Sequence, residues 1–95
     1  MAVYAIAQSQ ITDPDQFRHY LEAAGPTLEA HGVKLLAIDE QAAAIEGTTE
    51  YPRIVILEFA STEHFHRWYD SPEYVAARQH RMGAAVGTFV LVQGF

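Results

Sequence analysis

A carboxylate within an apolar strand is the first feature of this 95-residue chain that could carry chemistry. Glu58 follows four apolar residues in the segment Arg53–Phe59. A carboxylate buried there is unfavourable unless it is paired or protonated. Glu58 is therefore a candidate general base, or a group that orients a ligand. The alternative is a structural ion pair with Arg53, Arg78 or Arg81.

A basic and aromatic helix face is the second such feature. Tyr74, Arg78 and Arg81 follow the spacing i, i+4, i+7, which puts them on one side of one helix. Two guanidiniums beside a phenol could hold a carboxylate or an enolate through forked hydrogen bonds. The alternative is structural: Arg81 caps the helix end or pairs with Glu58, and Arg78 is solvated.

Neighbouring aromatic residues provide a third candidate. Trp68 and Tyr69 are adjacent, so they cannot share a helix face. We expect one of them to pack on the sheet and the other to lie near a cleft, although aromatic residues at helical spacing usually belong to the core. Both are candidate ligand-binding residues, as is Arg53 at the start of the Glu58 strand.

The histidines are spaced in a way that predicts no metal site. His64 and His66 lie two residues apart, about 200° around a helix, and cannot share a metal ion. His31 ends an apolar helical stripe and could form a helix-end hydrogen bond, act in acid–base chemistry or ligate haem. The first role is favoured because a protonated histidine stabilises a helix C-terminus. His31 stays a candidate catalytic residue, and no cofactor is predicted.

Composition excludes several classes of function. Twelve acidic against six basic residues give a net charge of −6, which argues against nucleic acid as a partner. Cysteine is absent, so neither a disulfide framework nor a thiolate site is available. No apolar run is long enough to span a membrane, and the first residues do not resemble a signal peptide. We expect a cytoplasmic protein that does not bind membranes.

The elements that must position these side chains follow the order β-α-β-β-α-β in a single domain of residues 1–95. The first helix has Asp13 as N-cap and Pro14 as first residue, and Gly25-Pro26 is expected to kink or divide it before it ends at His31-Gly32. The second helical region is in two pieces, capped at Ser61 or Thr62 and at Ser71. The predicted strands are Val3–Ile11, Val33–Ile38 with a less clear continuation to Glu46, Arg53–Phe59 and Thr88–Gln93.

This order predicts an α+β, ferredoxin-like βαββαβ sandwich, with a four-stranded antiparallel sheet covered by helices on one face. The third and fourth strands are nevertheless apolar on both faces, as in the alternation of Val55 and Leu57 with Ile54 and Ile56. A half-solvated sheet would alternate apolar with polar residues. We therefore expect a homodimer through the open sheet face.

Several segments together resemble the DUF1330 family, a family of unknown function, over essentially the whole chain. The segments are Arg53–Phe59, the Trp-Tyr-x-Ser-Pro-Glu-Tyr block at 68–74, Arg81 and the closing Val-Leu-Val-Gln-Gly at 90–94. The resemblance implies a dimeric α/β barrel, in which two ferredoxin-like sheets pack face to face. It also implies a cavity between sheet and helices, with Glu58, Trp68 and Tyr74 near it.

Three functions remain open from the sequence. The first is a dimeric protein that binds a small hydrophobic or oxygenated metabolite in that cavity. The second is a cofactor-free monooxygenase or isomerase, with Glu58 or His31 as proton acceptor and Arg81 or Tyr74 stabilising an enolate. The third is a structural or regulatory partner module without a cavity. The volume of the cavity distinguishes the third from the other two.

Overall fold

A computed structural model describes all residues of the chain, 1–95. Four strands and three helices follow the predicted order, with the second helical region divided in two. The elements are β1 (Val3–Ile11), α1 (Pro14–Ala30), β2 (Lys34–Asp39), β3 (Arg53–Phe59), α2 (Thr62–Tyr69), α3 (Pro72–Arg81) and β4 (Ala85–Gln93).

The four strands form one antiparallel sheet in the order β2-β3-β1-β4. In the central row of pairs, Ala5 on β1 lies opposite Leu57 on β3 and Leu91 on β4. Because side chains alternate along a strand, this register also puts Ala7 and Val55 on the same face as Ala5. The arrangement is the predicted ferredoxin-like α+β fold.

The core lies between the helices and one face of the sheet. Its largest fully buried side chains are Val3, Phe59, Trp68 and Tyr74. The Phe59 ring lies 5.5 Å from that of Trp68, and the rings of Trp68 and Tyr74 are 4.1 Å apart. Aromatic contacts of this kind bury large apolar areas, and here they fix α2 and α3 on the sheet.

Helix α1 begins as predicted and ends in a glycine turn. The Asp13 carboxylate accepts a hydrogen bond from the backbone N–H of Gln16. At the other end, Gly32 adopts a φ of 65°, while Val33 and Gly32 donate their backbone N–H groups to the carbonyls of Leu28 and Glu29. This pattern is a Schellman motif, which requires a residue such as glycine in the left-handed conformation.

Gly25-Pro26 is expected to kink or divide the first helix; division is wrong, because α1 is one helix of 17 residues with Pro26 inside it. Proline removes one backbone hydrogen bond, to the carbonyl four residues earlier, which here belongs to the exposed residue Glu22. Buried Phe17 contacts Arg53 of β3, and buried Thr27 accepts a hydrogen bond from Trp68 of α2, so the helix is anchored on either side of the proline.

The bounds of two strands, β2 and β4, also differ from prediction. β2 ends at Asp39, so its continuation to Glu46 is wrong, and the chain from 40 to 52 forms no strand or helix. β4 begins at Ala85, three residues earlier than predicted, because Ala85 and Val86 pair with the end of β1. Pairing with a neighbouring strand decides both limits.

The opposite face of the sheet carries no helix. The Cα atoms extend 35 × 33 × 16 Å. The shortest of these dimensions is the thickness of two layers, one of helices and one sheet. On the open face Val86, Val90 and Val92 are 41–50% exposed, beside partly exposed Ile54 and Ile56. None of the three helices is long and apolar enough to cross a membrane.

Candidate functional site

A cavity of about 400 Å³ lies between α1 and the helix-covered face of the sheet. Of its 21 lining residues, 15 are hydrophobic, so its walls suit a mostly apolar molecule. Leu21, Leu35 and Ile38 in its wall are each about half exposed, which shows that it opens to solvent beside β2.

The cavity exists because small residues point inward at one end of the sheet. Ala7 and Ser9 on β1, with Ala85 and Gly87 on β4, line it below α1. At the other end of the sheet, bulky residues such as Phe59 fill the same layer. Position 87 must also be glycine, because the Cβ atom of any other residue would clash with the carbonyl oxygen of Gln8 on β1.

Arg53 lines this cavity, and its positive charge is already paired with the carboxylate of Glu40. Its side chain is only 9% exposed, and its Nε atom lies 3.0 Å from a carboxylate oxygen of Glu40. Its guanidinium carbon also lies 4.9 Å from the centre of the Phe17 ring. Glu40 comes directly after β2, so this ion pair joins the two ends of the 40–52 segment.

Arg81 lines the cavity as part of a hydrogen-bonded group with two tyrosines. Its Nη1 atom donates to the Tyr74 hydroxyl over 3.4 Å, and the hydroxyls of Tyr74 and Tyr20 are 2.8 Å apart. Burial, above all, raises the pKa of Tyr74 above its ordinary value of 10. Tyr74 therefore remains a neutral phenol, and it lies behind Tyr20 and Arg81 rather than in the cavity wall.

Of the two neighbouring aromatic residues, Trp68 faces the cavity. It is 2% exposed, and its indole N–H donates to the Thr27 hydroxyl over 3.0 Å. Tyr69 is outside the lining and stacks on Phe65, with ring centres 5.3 Å apart. Helix α2 turns by about 100° between successive residues, which accounts for the separation of the two rings.

Arg78 also lies outside the cavity lining. Its guanidinium carbon sits 4.3 Å from the centre of the Tyr69 ring, and its buried Nη1 atom has no hydrogen-bond partner. The predicted helix face therefore contributes only Arg81 directly to the cavity wall.

Glu58 lies on the open face of the sheet, so the expectation that it shares a cavity with Trp68 and Tyr74 is wrong. The reason is strand alternation: Leu57 and Phe59 point toward the helices and Glu58 points away. Its partner is Lys34, with 3.7 Å between Nζ and a carboxylate oxygen, and not an arginine.

His31 is the C-cap of α1 and is outside the cavity lining. Its Nε2 atom lies 3.4 Å from a carboxylate oxygen of Glu73, and its backbone carbonyl accepts a 2.6 Å hydrogen bond from the His64 ring. His31 therefore stands at the helix end, but its ring contacts a carboxylate of α3 rather than the last carbonyls of α1. These contacts leave His31 away from the residues that face the cavity.

The cavity can therefore bind and orient, but it presents no carboxylate or imidazole as a proton acceptor. Its polar side chains are the two guanidiniums and the hydroxyls of Ser9 and Tyr20. Tyr20 is not among the site residues predicted from the sequence. Its hydroxyl on the inward face of α1 was the signal that could have marked it as a site residue.

Comparison with known protein families gives one match. The family is DUF1330, described as a domain of unknown function, and it matches residues 2–95. Comparison with curated proteins found no match.

Solved structures with the same fold cover almost the whole chain. A protein of unknown function from Rhodopseudomonas palustris is 18% identical, with a TM-score of 0.82 over 99% of this chain and 82% of that one. SnoaB, a cofactor-independent oxygenase from Streptomyces nogalater, is 9% identical, with a TM-score of 0.67 over 99% of this chain and 93% of that one. A protein from Bacteroides fragilis, described as dimeric and ferredoxin-like, is 16% identical, with a TM-score of 0.66 over 98% and 96% of the two chains. Identities this low show the fold alone.

Proposed function

Because this chain belongs to the DUF1330 family, a domain of unknown function, we propose a function from the site itself. The protein binds a small, mostly apolar molecule in the cavity between α1 and the sheet. The observation that carries the proposal is the cavity of about 400 Å³ with hydrophobic walls. This volume lies in the range of small-molecule sites. A purely structural module would have no need to keep small residues such as Ala7 and Ser9 beneath α1.

Trp68 provides the measurement that tests this binding. It is the chain's single tryptophan and lines the cavity, so a bound molecule should change its fluorescence. The probes are 1-octanol and octanoate, two eight-carbon molecules that do not absorb light at the wavelengths of tryptophan. We expect at least one of them to change the Trp68 emission, with a change that saturates as its concentration rises. Ala7→Phe places a ring in the cavity and should weaken such binding by about tenfold or more.

The same variant separates loss of the cavity from loss of the fold. Filling the cavity buries apolar surface, so Ala7→Phe should keep or raise the melting temperature. Ala76→Phe, at an exposed position on α3, is the matched control and should bind like the wild type. If neither probe alters Trp68 emission, or if Ala7→Phe binds them unchanged, the cavity is not the binding site.

A second copy of the chain is proposed as the partner that covers the open sheet face. The half-exposed valines Val86, Val90 and Val92 with Ile54 and Ile56 form an apolar surface of the kind that usually marks an interface. The description of the Bacteroides fragilis protein as dimeric supports this assignment.

Cofactor-free oxygenation or isomerisation is the second candidate function. It is favoured by the Arg81 guanidinium and the Tyr20 hydroxyl, which could stabilise an enolate in the cavity, and SnoaB is described as a cofactor-independent oxygenase. Glu58 and His31 are not suited as the proton acceptor, because neither lines the cavity. The substrate would therefore have to ionise in water before it reacts with dioxygen. Oxygen uptake with enolisable 1,3-diketones, lost in Arg81→Met, would support this candidate; equal uptake in the variant would reject it.

A further inference from the structure

We propose that the cavity selects an organic carboxylate with an apolar body, and that Arg81 and Tyr20 together hold its oxygen atoms. This inference rests on the proposed binding function and adds the chemical class of the ligand. It follows from the distribution of ion pairs and from the direction of the hydrogen bonds around Tyr74.

The distribution of ion pairs leaves Arg81 without a carboxylate. Of the six lysine and arginine residues, three have carboxylate partners: Arg18, Lys34 and Arg53. The remaining three have none within 4.0 Å. Of these, only Arg81 lines the cavity. A protein with twelve acidic residues thus leaves a partly buried guanidinium unpaired beside an apolar cavity.

The direction of the hydrogen bonds makes Tyr20 a second donor toward the cavity. Arg81 can only donate, so the Tyr74 hydroxyl oxygen accepts from it. Tyr74 is fully buried, and its own proton must reach an acceptor, which the Tyr20 oxygen provides at 2.8 Å. The Tyr20 hydroxyl proton is then free to bind a ligand in the cavity that it lines.

These two donors match a carboxylate better than other groups. No acidic side chain and no histidine lines the cavity, so nothing there repels an anion. Arg53 contributes less, because Glu40 already neutralises it. A phosphate dianion carries more charge and more acceptor oxygens than one guanidinium and one phenol satisfy. The hydrophobic walls exclude a small, wholly polar acid.

The experiment compares octanoate with 1-octanol at neutral pH, with Trp68 fluorescence as the readout. The probes share an apolar chain and differ in charge. We expect octanoate to bind at least about tenfold more tightly, because its hydrogen bonds are charge-assisted. Arg81→Met should remove this preference, so that the two probes bind with similar affinity. The matched control Arg67→Met removes an exposed arginine and should retain the preference.

A second measurement does not depend on the stability of the variant. In wild-type protein with ¹⁵N-labelled arginine, octanoate should shift the Nε–H signal of Arg81 more than 1-octanol does. Equal affinities for the two probes, or an unchanged preference in folded Arg81→Met, would overturn the carboxylate inference and leave the binding function intact. Failure of both probes to bind would overturn both.

Discussion

The two guanidiniums on α3 differ in what their surroundings allow them to do. Arg78 and Arg81 lie three residues apart, and neither has a carboxylate partner. Arg78 is stacked on Tyr69 outside the cavity, whereas Arg81 reaches the cavity and the Tyr74 hydroxyl. Residue type and helical spacing identified both, but only side-chain packing separates a structural arginine from one available to a ligand.

Glu73 provides a residue-scale prediction about pH. The hydrogen bond from His31, above all, lowers the pKa of this carboxyl from its ordinary value of 4.5. A lowered pKa in the folded state contributes stability above pH 4.5, which is lost as the pH falls through the folded value. In Glu73→Gln we therefore expect the melting temperature to decline less steeply with acidification below about pH 4.5.

The effect is small, because Glu73 is exposed and its ion pair is accessible to water. Glu63→Gln, in the first turn of α2 and exposed, is the control and should follow the wild-type pH curve. Melting curves of Glu73→Gln and wild type that run parallel through this pH range would show that the contact with His31 does not contribute.

At the scale of elements, two glycines of α1 and its C-terminal turn have opposite requirements. Gly25 lies inside the helix, where a Cβ atom would meet nothing within 4 Å. Gly32 follows the helix with a φ of 65°. We expect Gly25→Ala to stabilise the protein by about 0.5–1 kcal/mol, because alanine loses less backbone entropy in a helix. Gly32→Ala should destabilise it by about 1 kcal/mol, since alanine disfavours the left-handed conformation.

Thermal or urea unfolding of the two variants measures this contrast directly. Because Gly25 also lines the cavity, the octanoate affinity of Gly25→Ala should be checked alongside. A Gly25→Ala variant that is less stable than the wild type would mean that the methyl group disturbs the packing of α1 over the sheet.

At the scale of the whole molecule, the open face of the sheet is the proposed dimer interface. Val90 is 48% exposed on that face, whereas Ile45 is 91% exposed in the segment between β2 and β3. We expect Val90→Glu to convert a dimer at micromolar concentration into a folded monomer, because a buried unpaired carboxylate disfavours the interface. Ile45→Glu introduces the same charge outside the face and should remain dimeric.

Analytical ultracentrifugation of wild type and both variants measures the outcome. A monomeric wild type would contradict the assignment of a second copy to this face. Equal dissociation by Ile45→Glu would show that added charge, rather than its position on the sheet, drives the change.

The sequence by itself determined the fold, because caps and periodicity act over short distances. Asp13, Ser61 and Ser71 each cap a helix through hydrogen bonds within three residues, and the alternation in β3 predicted its strand bounds correctly. The same alternation also predicts the side of the sheet on which Glu58 lies. Since neighbours in a strand point to opposite faces, a carboxylate at position 58 cannot enter a cavity on the side of residue 57.

Only the tertiary structure decided the site. The cavity depends on small residues of β1 and β4 meeting beneath α1, and the group formed by Arg81, Tyr74 and Tyr20 joins positions 54 residues apart in the chain. Whether Pro26 divides α1, and where β4 begins, also depended on partners distant in sequence. Local patterns carry no information about such partners, because burial and hydrogen-bond pairing arise only when the elements pack together.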